Sequence, residues 1–410
     1  MPQRTKKRRL ALALVCAWLT WTALIGAVHW LGWVEPDTGP RPPASIVNAV
    51  HMASAPGWVV MRLATGRSLS HTAIGGVGAG AISGVCWIIA LLVANRVRIG
   101  LTHRKPRTVA ALPDPARRAF LVNGAFIGAA LGAGASGAKA TLLDPWDLTL
   151  RRYTVPIRGL PASLDGLRIA FFTDPHLGFR VPEAFIERAV AMTDALDADL
   201  VVLGGDYIDF RPERIGRAAR LLAPLAAPRP GRIGAVGVLG NHDWYGDGPA
   251  TSAALETVGV RMLDNRRCFL DAATRTIMTA QPAGDSLCIA GLGDLGQDVV
   301  DVRAALGGVR PETPRLVIAH EPDTAEIGPL RDLDAPRIDL MLSGHTHGGQ
   351  VRLPLVGAPI VPSRYGQKYA GGLVEGPRFP VLVSRGIGMS ILPIRFAVAP
   401  EIVEVTLTRA

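Results

Sequence analysis

From about residue 148 onward, short apolar runs recur along the chain, and each stops on a Gly, Asp, Asn or His residue. Runs of this length that alternate with helical periodicity predict strands and helices laid in a layered α/β arrangement. Residues 167–173 read as a buried strand. Residues 181–198 follow as an amphipathic helix with Phe185, Ala189, Met192 and Leu196 on one face, and residues 199–204 return as the next strand. Residues 233–239, 316–319, 340–343, 381–384 and 402–407 repeat the theme, with surface connections where Pro and Gly cluster at 227–231 and 307–314.

In open sheets of this kind chemistry gathers at the carboxyl ends of the strands, where loops converge on a rigid frame. The residues there are strongly biased: Asp174-Pro175-His176, Gly205-Asp206-Tyr207-Ile208-Asp209, Gly240-Asn241-His242-Asp243, His320, and Gly344-His345-Thr346-His347. Taken singly, each reads as an ordinary turn. Their joint occurrence, each after an apolar run, points to hard divalent cations held by carboxylate, amide and imidazole groups. Two such cations about 3.5–4 Å apart need one carboxylate between them, and they suit hydrolysis of a phosphate ester.

The first 140 residues are of another kind. Hydrophobic residues make up 49% of the chain and charged residues only 19%, which suggests that part of it sits in lipid. Residues 10–33 form an apolar run long enough to cross a bilayer, preceded by Arg4, Lys6, Lys7, Arg8 and Arg9, and residues 72–94 form a second. Residues 46–63 hold His51, Pro56 and Arg62 and read as a loop or interfacial segment. Residues 119–138 follow Arg117-Arg118 and resemble an internal twin-arginine export signal with a cleavage site at Ala138-Lys139-Ala140; a third transmembrane helix is the other reading. With basic segments on the cytoplasmic side, three crossings place the second half of the chain outside the cytoplasm. The net charge of +10 therefore reads as membrane topology. No basic stripe with interleaved aromatics marks a nucleic-acid partner, and no apolar run carries the charged residues of a transport pathway. Cys268 and Cys288 flank an expected hairpin at 267–271 and 286–291, where they are either a disulfide or two buried thiols.

The five motifs together resemble the signature of the calcineurin-like metallophosphoesterases. Residues 173–178, the run Gly344 to Gln350 and the ending Pro393-Ile394-Arg395-Phe396 through Pro400-Glu401-Ile402 are similar to its membrane-anchored or twin-arginine-exported bacterial members. The resemblance implies a four-layer α/β fold over residues 148–410, a β-sandwich flanked by helices. It implies that Asp174, His176 and His347 bind a first metal, that Asn241, His320 and His345 bind a second, and that Asp206 bridges them. His242 becomes the donor to the leaving group, with Asp243 orienting its ring. Pro175 stands where Leu is usual, and Asp243 where Glu is; neither change removes a ligand. Mn is the first choice of metal, with Fe or Zn next. The expected activity is hydrolysis of phosphodiester, phosphomonoester or pyrophosphate bonds at a bacterial inner membrane, on a lipid-linked or envelope substrate such as a UDP-diacylglucosamine-type pyrophosphate or a phospholipid headgroup. The alternative is an inactive membrane scaffold or sensor that kept the fold.

Overall fold

The computed structural model describes residues 139–410, apart from Phe179, Leu333, Ile391 and Leu392. The expected spans 10–33, 72–94 and 119–138 lie outside the described residues. Among the described residues no helix is long and apolar enough to cross a membrane.

Residues 142–390 and 394–410 form one compact unit. The chain enters along β1 (Thr149–Ile157), then β2 (Leu167–Phe172), α1 (Glu183–Asp194), β3 (Leu200–Leu203), α2 (Ile215–Ala226), β4 (Gly234–Gly237), α3 (Asn241–Gly246), α4 (Gly248–Thr257) and β5 (Val260–Met262). It continues through β6 (Arg266–Asp271), β7 (Ile277–Met278), β8 (Ser286–Gly291), α5 (Val302–Leu306), β9 (Arg315–Ile318), α6 (Gly328–Arg331), β10 (Leu340–Ser343), β11 (Gly372–Glu375), β12 (Pro380–Val383) and β13 (Glu401–Arg409).

Two sheets result. The first has six strands in the order β1-β13-β2-β3-β4-β5, and the second has seven in the order β11-β12-β10-β9-β8-β6-β7. Strand β2 shows why they stack. Leu167, Ile169 and Phe171 point between the sheets, where they meet Leu270, Ile289, Leu316 and Leu342. Ala170 and Phe172 point the other way, into a layer with Phe185 and Ile186 of α1 and Leu222 of α2. A strand buried on both faces has to be apolar almost throughout, and each large side chain so buried contributes about 1.5–3 kcal/mol.

The helical layer outside the first sheet is substantial, whereas that outside the second is thin. Val302–Leu306 of α5 has five residues and Gly328–Arg331 of α6 has four, so loops complete the fourth layer. The helix expected at 181–198 is shorter, Glu183–Asp194. Pro182 enters in an extended conformation, and Asp197 has a left-handed backbone (φ 53°), which a helix cannot continue through.

The two cysteines resolve into thiols. Antiparallel β6 and β8 set Cys268 opposite Ile289 and Phe269 opposite Cys288. This one-residue offset turns the sulfurs to opposite faces: Cys268 lies between the sheets and Cys288 packs outward with Phe269. Burial pushes both thiols up to about 12. Neither thiol is expected to react with a thiol reagent at pH 8 until the domain unfolds, and the melting temperature is expected to be the same with and without dithiothreitol. Rapid labelling of the native protein at either position would contradict this burial.

Candidate metal centre

Parallel strands of both sheets deliver the candidate ligands to one edge. Asp174 and His176 follow β2, Asp206 follows β3, and Asn241 follows β4 in the first sheet; His320 follows β9, and His345 and His347 follow β10 in the second. Five of these seven have backbones in the left-handed region: Asp174 (φ 55°), His176 (46°), Asp206 (55°), His345 (68°) and His347 (49°). Non-glycine residues are held there at a cost of about 1–3 kcal/mol each, and such strain concentrates at functional sites. At each position the chain turns sharply off its strand, aiming the side chain at the rim between the sheets. Gly205 (φ +96°) permits a close approach, since a Cβ there would stand 2.6 Å from the Gly240 nitrogen and 2.9 Å from His320 Nδ1.

The side chains gather in two adjoining groups. In the first, His176 Nε2 lies 2.9 Å from His347 Nε2, and Asp174 Oδ1 lies 3.5 Å from His347 Nε2 and 3.9 Å from His176 Nε2. In the second, the Asn241 Oδ1 and His345 Nδ1 atoms are 3.0 Å apart, and His320 closes the group with Asp206. The groups meet at one atom: Asp206 Oδ2 is 3.4 Å from His176 Nε2 and 3.2 Å from His320 Nε2.

Hydrogen bonds behind the site aim these donors. Thr173 Oγ1 donates to Asp174 Oδ2 (2.7 Å), and the His345 backbone N–H donates to Asp174 Oδ1 (3.0 Å). The His242 N–H donates to Asp206 Oδ1 (2.8 Å), leaving Oδ2 for the centre. His320 Nδ1 donates to the Gly204 carbonyl (2.7 Å), which turns Nε2 inward toward Asp206 Oδ2. This is the arrangement by which metal-binding imidazoles are oriented.

The electrostatics fit cations. Burial pushes the His345 ring down to about 3 and holds the His176 and His347 rings well below the ordinary imidazole range, so they present neutral lone pairs. Burial also pushes the Asp174 carboxyl up to about 6. Burial opposes charge on His320 too, but the carboxylates of Asp206, Asp174 and Asp294 outweigh it and hold that ring protonated well above its usual range. The centre therefore draws positive charge toward Asp206. Two imidazole nitrogens 2.9 Å apart need a cation or a proton between them, and seven oxygen and nitrogen donors without sulfur suit hard or borderline divalent metals.

Asp243 is placed differently from what the sequence suggested. Asp243 does not touch the His242 ring. It is the third residue of α3, so its carboxylate folds back over the helix start, as in a capping box. There it accepts from the backbone N–H groups of Asp206 (2.8 Å), Tyr207 (2.9 Å), Ile208 (3.3 Å) and Gly240 (3.0 Å). The His242 ring is oriented instead by the Asp209 carbonyl, which faces Nδ1, and by Ser390 Oγ, 3.3 Å from Nε2.

Sequence reading also missed a role for Arg395. Its guanidinium is wholly buried, donates to the carbonyls of Arg385 (2.8 Å), Gly386 (3.1 Å) and Gly388, and lies 3.3 Å from His347 Nδ1. It ties the loop after β12 against the first ligand group. No local spacing announces such a contact, because Arg395 and His347 are 48 residues apart.

Comparison with known proteins agrees with this architecture. Residues 167–349 match the family model described as calcineurin-like phosphoesterase. The chain is 32% identical over 293 residues to the metallophosphoesterase YkuE of Bacillus subtilis, covering 71% of this chain and 97% of that protein. It is 31% identical over 239 residues to phosphodiesterase YaeI of Escherichia coli, covering 57% and 80% respectively. Over 311 residues it is 27% identical to UDP-2,3-diacylglucosamine pyrophosphatase LpxG of Chlamydia trachomatis, covering 64% and 90%. A relative matched over nearly its whole length, together with the family model across the strands that carry these donors, establishes that the chain belongs to the calcineurin-like phosphoesterases, as a metal-dependent hydrolase.

Proposed function

We propose that the chain is a membrane-anchored dinuclear phosphoesterase that cleaves phosphodiester or pyrophosphate bonds of a lipid-linked or envelope substrate. The observation that carries this reading is the position of Asp206 Oδ2 between two donor groups, 3.4 Å from His176 and 3.2 Å from His320. Asp174, His176 and His347 hold one cation, Asn241, His320 and His345 hold the other, and Asp206 belongs to both. Two bound divalent cations supply a water made nucleophilic near neutral pH and neutralise charge on the phosphoryl oxygens. The donor set favours Mn, with Fe or Zn as alternatives.

The chain's own groups do the rest. With Nδ1 turned to the Asp209 carbonyl, the His242 ring presents Nε2, which in the protonated ring delivers a proton to the leaving oxygen as its bond to phosphorus breaks. His242 is part-exposed while Asp206 and His176 are buried, so the proton donor stands where substrate enters. The lipid-linked assignment is supported by the apolar first 140 residues and by a relative whose name specifies a diacylglucosamine pyrophosphate substrate. With the domain outside the cytoplasm, envelope phospholipids and cell-wall phosphodiesters fit better than a cytoplasmic precursor.

The test is hydrolysis of bis-p-nitrophenyl phosphate and p-nitrophenyl phosphate by the purified full chain in detergent. Turnover is expected to vanish after chelation and to return on adding Mn, with two metals bound per chain. A folded, metal-loaded protein inert on both esters and on phospholipid vesicles would favour the scaffold instead.

A further inference from the structure

The loops that carry the ligands do not separate once past them. The backbone N–H of His176 donates to the Asp206 carbonyl (3.0 Å), that of Leu177 to Tyr207 (2.9 Å), and that of Asp209 back to Leu177 (3.1 Å). Leu177 and Ile208 thus form a parallel bridge. The two segments can lie this close because residue 178 is glycine: a Cβ there would stand 2.6 Å from Asp209 Cγ. The pair extends the frame of the metal centre outward and carries Arg180 on one segment and Arg211 and Arg214 on the other.

Arg180 and Arg214 both act on the Asp209 carboxylate, Arg211 lies on the same segment, and Glu213 between Arg211 and Arg214 is exposed. Arg214 Nε lies 3.8 Å from Asp209 Oδ1, but that oxygen already accepts from the backbone N–H of Phe210 (2.9 Å) and Arg211 (3.3 Å). Glu183, whose field also reaches Arg214, is bound by Arg217 at 2.5 Å. Arg180 Nε is buried without a hydrogen-bond partner, and the Arg211 side chain stands over the Phe210 ring (5.8 Å to its centroid). Burial lowers the Arg180 pKa, Asp209 opposes that shift, and Arg211 adds to it, so the two arginines sense one another. The carbonyl of Asp209, at the heart of the cluster, is the one that faces His242 Nδ1.

A buried guanidinium donor left unpaired is costly, and excess arginine beside a phosphoester site matches the fork geometry by which Arg binds phosphate. We propose that Arg180, Arg211 and Arg214 form an anion subsite for a second phosphoryl group of the substrate, on the His242 side of the metals. The proposal rests on the phosphoesterase reading and narrows it to substrates with two phosphoryl groups. These are either joined directly, as in a pyrophosphate, or separated by a short polyol, as in a lipid headgroup.

The test compares inhibitors of bis-p-nitrophenyl phosphate hydrolysis by the metal-loaded full chain, with free Mn held constant. UDP is set against UMP, and glycerol 1,3-bisphosphate against glycerol 3-phosphate. At least one two-phosphate probe is expected to inhibit about tenfold more strongly than its one-phosphate partner, the effect of about one charge-assisted contact. Preference for UDP assigns the pyrophosphate spacing, and preference for the bisphosphate assigns the headgroup spacing. In Arg211→Gln the ratio is expected to fall toward one. Arg180→Lys, which keeps charge at a buried position but loses the fork, is expected to reduce it in part. No preference in the wild type, or an undiminished preference in both variants, overturns the proposal. Should the protein lack turnover altogether, the phosphoesterase reading fails, and the same ratios are measured by calorimetric binding, which decides the subsite independently.

Discussion

Asp206→Asn is expected to lower metal-dependent diester turnover by about a thousandfold or more, and to reduce the metal bound per chain from two to one or fewer. Asp206 Oδ2 is the only carboxylate atom near both donor groups in the described residues. An amide there has one neutral oxygen, so it cannot offset the charge of two cations. Lewis-acid stabilisation in such centres amounts to several kcal/mol, and each 1.36 kcal/mol is tenfold in rate. The variant is expected to fold, because Asn Oδ1 can still accept the His242 N–H that Asp206 Oδ1 accepts at 2.8 Å. Metal content by mass spectrometry and rate by p-nitrophenol release decide the matter. A variant that keeps two metals and more than a tenth of the activity would remove Asp206 from the bridging position.

The second large effect concerns Asp243, and it is an effect on stability. Asp243→Ala is expected to lower the melting temperature by about 10 °C. The carboxylate accepts four backbone N–H groups, three of them at 3.0 Å or less, and it is wholly buried. Leaving a buried donor unsatisfied costs about 1–3 kcal/mol. Three such losses come to about 3–9 kcal/mol, against a total stability of about 5–15 kcal/mol for a domain. For a domain of this size each kcal/mol moves the transition by about 2 °C. Asp243→Asn is expected to fall between, since its amide oxygen can serve two of the four donors while its NH₂ faces the others. Were Asp243 instead the partner of the His242 ring, Asp243→Ala would lose turnover with little change in melting. The thermal melt therefore separates the two roles.

Much of this protein was legible in its sequence, for a definite reason. A strand buried on both faces must be apolar, and where it leaves the core its polar residues stand out. The five strand-end motifs could therefore be read as one set before any contact was known. The positions of β2, β3, β4, β9, β10, β12 and β13 followed from the same signal, as did the antiparallel pair β6 and β8, whereas β1, β5, β7 and β11 did not. The helix ends did not, because α1 is cut short by Pro182 and by the left-handed turn at Asp197, and an apolar pattern does not register backbone handedness.

Residue types and order along the chain thus determined which donors exist: two carboxylates, an amide and four imidazoles at the ends of five strands. Only the tertiary structure decided where each one points. Left-handed backbones at Asp174, His176, Asp206, His345 and His347 turn their side chains inward, and pairing of the β2 and β3 loops at Leu177 and Ile208 puts Arg180 and Arg211 on adjoining segments. A one-residue register offset separates Cys268 from Cys288, and the start of α3 takes Asp243 away from His242 to the backbone of Asp206. In each case direction is set by backbone torsion and by partners distant in sequence, and side-chain identity alone carries neither.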